Sequence, residues 1–174
     1  MTDNALISSR RGLLAAAASG LAVAASSAAA APKQLSLADI KKEADIACVY
    51  HCDFGDVARF DQMLTNIANH YSAYGADPFA LQLAIVAHGA GVKFFLKDLE
   101  GTSWAGDDAA LKVFERVEAL AKNGLKVHLC EITFQRNKID KAKARDVPFA
   151  GFVPSGVAAV AALQAKGFAY LKIG

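Results

Sequence analysis

The chain is poor in the residues that crosslinked, metal-rich or strongly charged proteins contain. Its 174 residues include three cysteines, too few for a disulfide scaffold, and the odd number leaves at least one thiol unpaired. The formal net charge is only +2, which excludes the clustered basic excess typical of nucleic-acid-binding proteins. Cysteine or histidine pairs with C-x₂-C or H-x₃-H spacing are missing, so no metal site is predicted.

The chain is rich in apolar residues, and these are unevenly distributed. Hydrophobic residues make up 54% of the sequence, enough for the core of a single domain of this length. The segment 15–31 holds 11 alanines and no charged residue. Part of the apolar content therefore belongs to a segment that need not lie in the folded domain.

The N-terminal segment has the three parts of an export signal. Arg10 and Arg11 precede an uncharged stretch that runs to Ala31 and ends in small residues. Paired arginines before an apolar run are typical of the twin-arginine form of signal peptide. A transmembrane helix is the alternative, but alanine, serine and glycine dominate the run and no basic cluster closes it. We therefore expect cleavage after Ala30 and a periplasmic protein with no membrane span after cleavage.

The remaining sequence alternates between strand and helix patterns. Strands are predicted over 46–51, 81–87, 125–130, 149–153 and 168–173, with helices between them. Such alternation predicts an α/β domain over 45–174 with a mainly parallel sheet. Residues 31–44 are expected to form a flexible N-terminal lead, and nothing divides the domain further.

Histidines and cysteines cluster at the predicted carboxyl ends of the strands, where parallel α/β sheets place their ligand sites. His51 and Cys52 end the first strand, His88 follows the second, and Cys130 ends the third. The turn that starts at His88 is rich in glycine but is neither a Walker loop nor a complete dinucleotide fingerprint. No cofactor is therefore predicted.

Cys130 is the leading candidate for a reactive thiol. A helix is expected to begin near Thr133, and the unpaired N–H groups at a helix N-terminus stabilise a thiolate. Arg136 adds positive charge nearby. The alternative is a buried cysteine that packs as a small hydrophobic residue.

The other titratable residues carry weaker expectations. Cys52 is a possible partner thiol for Cys130, whereas Cys48, in mid-strand, is expected in the core. His51 and His88 either orient a substrate and exchange protons or are structural. We expect purely structural roles for the remaining four residues, namely His70, His128, Asp53 as a turn residue and Asp56 as an N-cap.

A series of short motifs resembles the DsrE/DsrF-like family, the group related to DsrE, TusD and YchN. Each motif is short, but their order and spacing are specific, and together they cover residues 45–173. They are His51-x-Asp53, Asn66-Ile67-x-Asn69-His70, Val86-Ala87-His88-Gly89, Val127-x-Leu129-Cys130-x-x-Thr133, Val153-Pro154-Ser155-Gly156-Val157 and Gly167-Phe168-Ala169-Tyr170-Leu171.

The resemblance implies both a fold and a function. The fold is a three-layer α/β/α sandwich around a five-stranded parallel sheet, usually assembled into trimers or hexamers. Some members are sulfur carriers that hold a persulfide on a cysteine in a Cys-x-Asn-Thr-like motif, which places that role on Cys130. Here Ile132 replaces the asparagine. The acidic neighbour Glu131 would disfavour a thiolate.

Three functional hypotheses follow. The first is a periplasmic sulfur carrier, not a turnover enzyme, that exchanges sulfur with a donor or acceptor protein through Cys130. The second is an oligomeric module that binds a small ligand or metal, and the third is a thiol–disulfide protein using Cys52 and Cys130. A homo-oligomer is expected because several large aromatic side chains fall in short elements, where an interface would cover them, namely Phe94, Phe95, Trp104, Phe149 and Phe152.

Overall fold

The computed structural model describes residues 31–174. The predicted signal segment therefore lies outside the described residues. The strands are β1 (Lys33–Gln34), β2 (Ile46–Cys52), β3 (Leu81–Ala87), β4 (Lys126–Cys130), β5 (Ala150–Val153) and β6 (Ala169–Lys172). The α-helices are α1 (Val57–Ala73), α2 (Asp108–Lys112), α3 (Phe114–Ala121), α4 (Glu131–Arg136) and α5 (Gly156–Ala165), and 3₁₀ helices cover Gly89–Phe95 and Lys141–Lys143.

All six strands form one parallel sheet in the order β1-β5-β4-β3-β2-β6. Helices cover both faces, as expected for a parallel sheet whose strands are joined by crossover helices. Helices α1 and α3 pack on one face with the larger core. Helix α5 packs on the other face with a smaller, separate core. The predicted α/β class and three-layer arrangement are confirmed, with one more strand than expected.

The additional strand comes from the N-terminal lead, which was expected to be flexible. Lys33 and Gln34 pair in parallel with β5, and Leu35 packs so closely over Gly151 that a Cβ on that glycine would lie 2.5 Å from the leucine side chain. Lys166 donates from Nζ to the carbonyl oxygens of Leu37 and Ile40. The lead is thereby fixed over the α5 side of the sheet. A two-residue strand gives no periodic signal, which explains why the sequence pattern missed it.

Two predicted helices differ from the structure. The helix predicted before the strand at 125–130 is divided into α2 and α3 at Val113. The short helix near Thr133 begins at Glu131, directly after Cys130. Asp56 caps α1 as predicted, with its Oδ1 accepting a 2.7 Å hydrogen bond from the Arg59 backbone N–H.

The aromatic residues expected at an interface lie mainly in the core. Phe94, Phe95 and Phe152 are at most 1% exposed, and Phe94 stacks on Phe60 with ring centroids 4.0 Å apart. Trp104 and Phe149 are partly buried and pack against the same core. These side chains therefore stabilise the subunit itself, and the aromatic content no longer supports an oligomer.

Candidate functional site

Strand register determines which side chains share a face of the sheet. His51 pairs with Lys172, Val86 with His128, and Cys130 with Val153. Partners in a parallel pair point to the same face, and successive residues alternate between faces. Val86 and Val153 belong to the core under α5, so Cys130 also faces α5.

A cavity of about 410 Å³ opens at the carboxyl edge of this face. The Cys130 side chain forms part of its wall and is 5% exposed. The rest of the wall comes from the turn after β3, helix α4 and the start of α5, namely His88, Gly89, Ile132, Thr133, Arg136, Asn137, Ser155 and Val157. Beyond the strand ends is where a parallel α/β sheet binds ligands.

Gly156, the first residue of α5, brings Cys130 and His88 together. A Cβ on residue 156 would lie 2.8 Å from Cβ of His88 and 3.1 Å from Cβ of Cys130. The side chains of His88 and Cys130 therefore both pack against the start of α5, where only glycine leaves room for them. Ser155 caps this helix, its Oγ accepting from the Ala158 backbone N–H at 3.4 Å.

His88 is also joined to His51, the other histidine predicted at the site. Their Nε2 atoms lie 2.6 Å apart, so one imidazole donates to the other. His51 Nδ1 lies 2.7 Å from the Tyr170 hydroxyl. Burial lowers the pKa of both histidines, which keeps the pair neutral near pH 7. The side chains form an unbroken chain in the order Tyr170, His51, His88.

An ion pair flanks the histidines. Lys172 Nζ lies 2.8 Å from Asp53 Oδ2. Burial of Asp53 opposes its ionisation, but the hydrogen bond from Lys172 and the charges of His51 and Lys172 outweigh that effect, and the pKa of Asp53 is lowered. Asp53 was predicted to be only a turn residue. The structure gives it an electrostatic role beside the histidines.

Glu131, the acidic neighbour of Cys130, has its negative charge balanced by a lysine. Glu131 forms an ion pair with Lys141 and accepts a 3.2 Å hydrogen bond from Gln34 Nε2. Both partners hold the carboxylate toward the β1 edge of the sheet. Glu131 therefore does not place an unpaired negative charge beside the thiol, as its position in the sequence had indicated.

Thr133, near which the helix was predicted to begin, lies inside α4 and contacts the turn after β3. Its Oγ1 accepts a 3.0 Å hydrogen bond from the Gly89 backbone N–H, and Gly89 adopts a left-handed φ of 55° that favours glycine. The hydroxyl therefore fastens α4 to the turn after His88. Cys130 itself occupies the N-cap position of α4, without a side-chain cap.

The other two cysteines lie on the opposite face of the sheet from Cys130. Cys48 and Cys52 belong to the core under α1. Burial raises the pKa of both thiols, so neither is activated as a nucleophile. Both are free, as is Cys130.

The proposed pairing of Cys52 with Cys130 is wrong for this fold. Cys52 pairs with Ala87, and Ala87 pairs with Leu129, so the two cysteines are separated by two inter-strand steps of roughly 4.8 Å each. A disulfide needs Cα atoms within about 7 Å and Cβ atoms that face each other. Both conditions fail, because the thiols lie on opposite sides of the sheet.

The remaining histidines lie away from this site. His70, on α1, places Nδ1 3.1 Å from the Tyr50 hydroxyl. His128 is 5% exposed, and burial lowers its pKa to about 4. Its buried Nδ1 has no hydrogen-bond partner. Within residues 31–174, no group of three or more His, Cys, Asp or Glu side chains is arranged to hold a metal ion.

Tyr170 and Lys172 are the site residues that sequence reasoning missed. Tyr170 and Lys172 are two residues apart in the last predicted strand, so strand alternation predicts that their side chains lie on one face of the sheet. Nothing local, however, indicates that β6 pairs with β2, and that long-range pairing is what brings Tyr170 to His51.

Comparisons with known proteins agree with this architecture. A solved structure of a protein of unknown function from Methanobacterium thermoautotrophicum superposes with a TM-score of 0.59 at 22% sequence identity, covering 74% of this chain and 99% of that one. At this identity the likeness shows a shared fold. No curated protein matches the chain in sequence.

Two further findings concern membrane spans and family membership. Among residues 31–174, no helix has both the length and the apolar character needed to cross a bilayer. The DsrE/DsrF-like family model matches residues 16–173, a range that begins inside the predicted signal segment. This match covers most of the sequence, and the chain belongs to the DsrE/DsrF-like family.

Proposed function

We propose that this protein is a sulfur carrier that holds sulfane sulfur as a persulfide on Cys130. One observation carries the proposal: Cys130 lies in the wall of the 410 Å³ cavity at the carboxyl edge of the sheet, while Cys48 and Cys52 are buried in the core of the other face. Family membership supports the same role, since sulfur relay is known among its members.

The chemistry is thiol–persulfide exchange. The Cys130 thiolate attacks the outer sulfur of a donor persulfide, R–S–SH, forming the new S–S bond of a Cys130 persulfide. The donor's S–S bond breaks, and R–S⁻ leaves with the electron pair and takes up the proton that Cys130 released. A thiol and a persulfide become a persulfide and a thiol, so no external oxidant or reductant is needed.

The charges around Cys130 suit the approach of an anionic donor. The Glu131 charge is paired with Lys141, and Arg136 lines the cavity. Basic side chains attract an anionic donor. The cavity also leaves room for a second sulfur atom on Cys130.

We also propose that the working form is exported by its twin-arginine segment, exchanges sulfur with a donor or acceptor protein, and forms a homo-oligomer. Support for export comes from Arg10, Arg11 and the small-residue stretch that ends at Ala31. N-terminal sequencing of protein recovered from the periplasm tests cleavage after Ala30. Sedimentation of that material at micromolar concentration tests the oligomer, which a monomer would contradict.

Peptide mass spectrometry after polysulfide treatment tests the carrier role. We expect a gain of about 32 Da, one sulfur atom, on the peptide that contains Cys130. Cys130→Ser should abolish the gain and Cys52→Ser should leave it intact. A Cys130→Ser protein that still loads fully, or an unmodified Cys130 peptide in the wild type, would refute the proposal.

A further inference from the structure

We infer that the sulfur donor to Cys130 is a small organic persulfide, R–S–SH, whose carboxylate is held by Arg136. Arg136 is thus a specificity-determining residue of the cavity. This inference rests on the proposed function, which leaves the chemical class of the donor open, and its test separates the two.

Arg136 differs from the other arginines of the described chain in having no partner inside the protein. Arg59 and Arg145 donate to backbone carbonyl oxygens, and Arg116 pairs with Asp61. Among the described residues, none forms a hydrogen bond, an ion pair or a ring contact with Arg136, although its side chain lines the cavity. The N–H donors of its guanidinium are therefore available to a ligand.

Apart from the thiol, the other polar side chains in the cavity wall each have a hydrogen-bond partner inside the protein. They are His88, Thr133, Asn137 and Ser155. Among the described residues, none that lines the cavity is Asp or Glu, so Arg136 gives the cavity an unopposed positive charge. A planar guanidinium binds a carboxylate through two parallel hydrogen bonds. The cavity therefore suits a ligand that carries a carboxylate.

The cavity and the burial of the thiol favour a small organic donor. Cys130 is 5% exposed, so a persulfide fixed on the surface of a folded protein would have to enter the cavity to reach it. The cavity volume of about 410 Å³ lies within the range of pockets that bind organic molecules. Ile132 and Val157 add apolar surface to the wall, which an organic donor can contact and an inorganic polysulfide cannot use.

Helix α4 sets the separation between the thiol and the guanidinium. Cys130 is the N-cap of α4 and Arg136 is its last residue, so their Cα atoms lie roughly 9 Å apart along the helix axis. The Cα–Cβ bonds of a helix tilt toward its N-terminus, which directs the Arg136 side chain toward the thiol end of α4. A donor that bridges the remaining gap has its carboxylate several bonds from its sulfur.

The carboxylate of the donor is unchanged by the transfer. The Cys130 thiolate attacks the outer sulfur, the S–S bond of the donor breaks, and R–S⁻ leaves with the electron pair and takes up the proton that Cys130 released. The second sulfur on Cys130 then extends about 2 Å beyond the first. The loaded sulfur is therefore easier for an acceptor protein to reach than the thiol is for a donor protein.

Two alkylating agents of nearly equal size test anion recognition without any sulfur transfer. Iodoacetate carries a carboxylate where iodoacetamide carries a neutral amide, and peptide mass spectrometry follows the modification of Cys130 by each. Arg136→Gln should lower the ratio of the iodoacetate rate to the iodoacetamide rate about fivefold. Arg136→Lys keeps the charge without the planar fork and should lower the ratio less.

Lys138→Gln is the matched control, because it removes the same charge from an exposed residue outside the cavity wall. This variant should change the ratio by less than about twofold, since its charge is screened by solvent.

Two persulfides that differ in one group extend the test to sulfur loading. The persulfide of β-mercaptopropionate bears a carboxylate, whereas that of β-mercaptoethanol bears a hydroxyl, and Arg136→Gln should lower the ratio of their loading rates by a similar factor. An unchanged ratio for either pair of reagents, in protein that loads normally, would overturn the inference and leave the carrier role standing. A fall in the iodoacetate ratio, with no loading of the wild type from either persulfide, would refute the carrier role and leave Arg136 as a residue that recognises small carboxylates.

Discussion

Lys141 forms an ion pair with Glu131, the residue directly after Cys130. Without the lysine, an unpaired carboxylate would stand beside the thiol and repel an anionic sulfur donor. Lys141→Gln should therefore slow polysulfide loading of Cys130 by about two- to fivefold, as expected for one partly screened charge. Loading rates measured by mass spectrometry check this.

The double variant Glu131→Gln/Lys141→Gln removes both charges and should recover the wild-type loading rate. If the double variant stays as slow as Lys141→Gln, the pair does not act through charge. High salt screens both charges, so it should also reduce the difference in loading rate between the wild type and Lys141→Gln.

The three cysteines should differ in reactivity in the folded protein. Cys130 lines the cavity, whereas Cys52 is fully buried and burial raises its pKa. A thiol-specific reagent should therefore modify Cys130 first, and Cys48 and Cys52 at least about tenfold more slowly, since they require local opening. Peptide mapping at successive times gives the order, and modification of Cys52 before Cys130 would contradict the assignment.

Gly156 should be intolerant of a side chain. An alanine Cβ would lie 2.8 Å from Cβ of His88 and 3.1 Å from Cβ of Cys130, so α5 or the site residues must shift. Overpacking of this kind costs about 1–3 kcal/mol of unfolding free energy. We expect Gly156→Ala to lower both stability in urea and the rate of Cys130 loading.

Ala158→Gly is the control for that variant. Ala158 is exposed on the same helix, and glycine there costs about 1 kcal/mol in helix propensity. This variant should lose stability but keep the loading rate. A Gly156→Ala protein that loads normally would show that the close approach at residue 156 has no bearing on the thiol.

Acid should destabilise the fold through His128. Its pKa in the folded protein is about 4 because of burial, below the roughly 6.5 of an exposed histidine. Between these values the unfolded chain binds more protons, so stability is full above about pH 6.5 and falls as the pH drops toward 4. The total loss from this residue is roughly 3 kcal/mol.

His128→Leu should flatten that part of the stability profile, which urea titrations between about pH 4 and 7 measure. His70→Leu is the comparison, since His70 is also lowered in pKa by burial but lies in a more exposed position on α1. An unchanged slope in His128→Leu would show that His128 does not drive the acid sensitivity.

The fold was largely predictable because the longest helix and the central strands have strong local patterns. Helix α1 buries Phe60, Met63, Leu64, Ile67 and Tyr71 at three- and four-residue spacings, and β3 is buried along almost its whole length. What escaped prediction depends on tertiary contacts. The short strand β1 forms only because β5 offers a free edge and Leu35 packs on Gly151.

The candidate site was predictable only in part. Ligand sites lie at the carboxyl ends of parallel strands, and this rule correctly selected His51, His88 and Cys130. All three lie at the ends of neighbouring strands and on the same face of the sheet. The same rule also selected Cys52, one residue beyond His51, which the alternation of strand side chains places on the other face. The contacts of Tyr170 with His51 and of Lys141 with Glu131 depend on pairings across the chain that no local pattern encodes.

The most direct measurement of the central claim is the amount of sulfur that the loaded protein releases. After polysulfide treatment and removal of excess reagent, cyanide should convert the outer sulfur of the Cys130 persulfide to thiocyanate. We predict one equivalent of thiocyanate per chain from Cys48→Ser/Cys52→Ser protein and none from Cys130→Ser. Equal release from the two proteins, or none from the first, would contradict the assignment of Cys130 as the sulfur-carrying thiol.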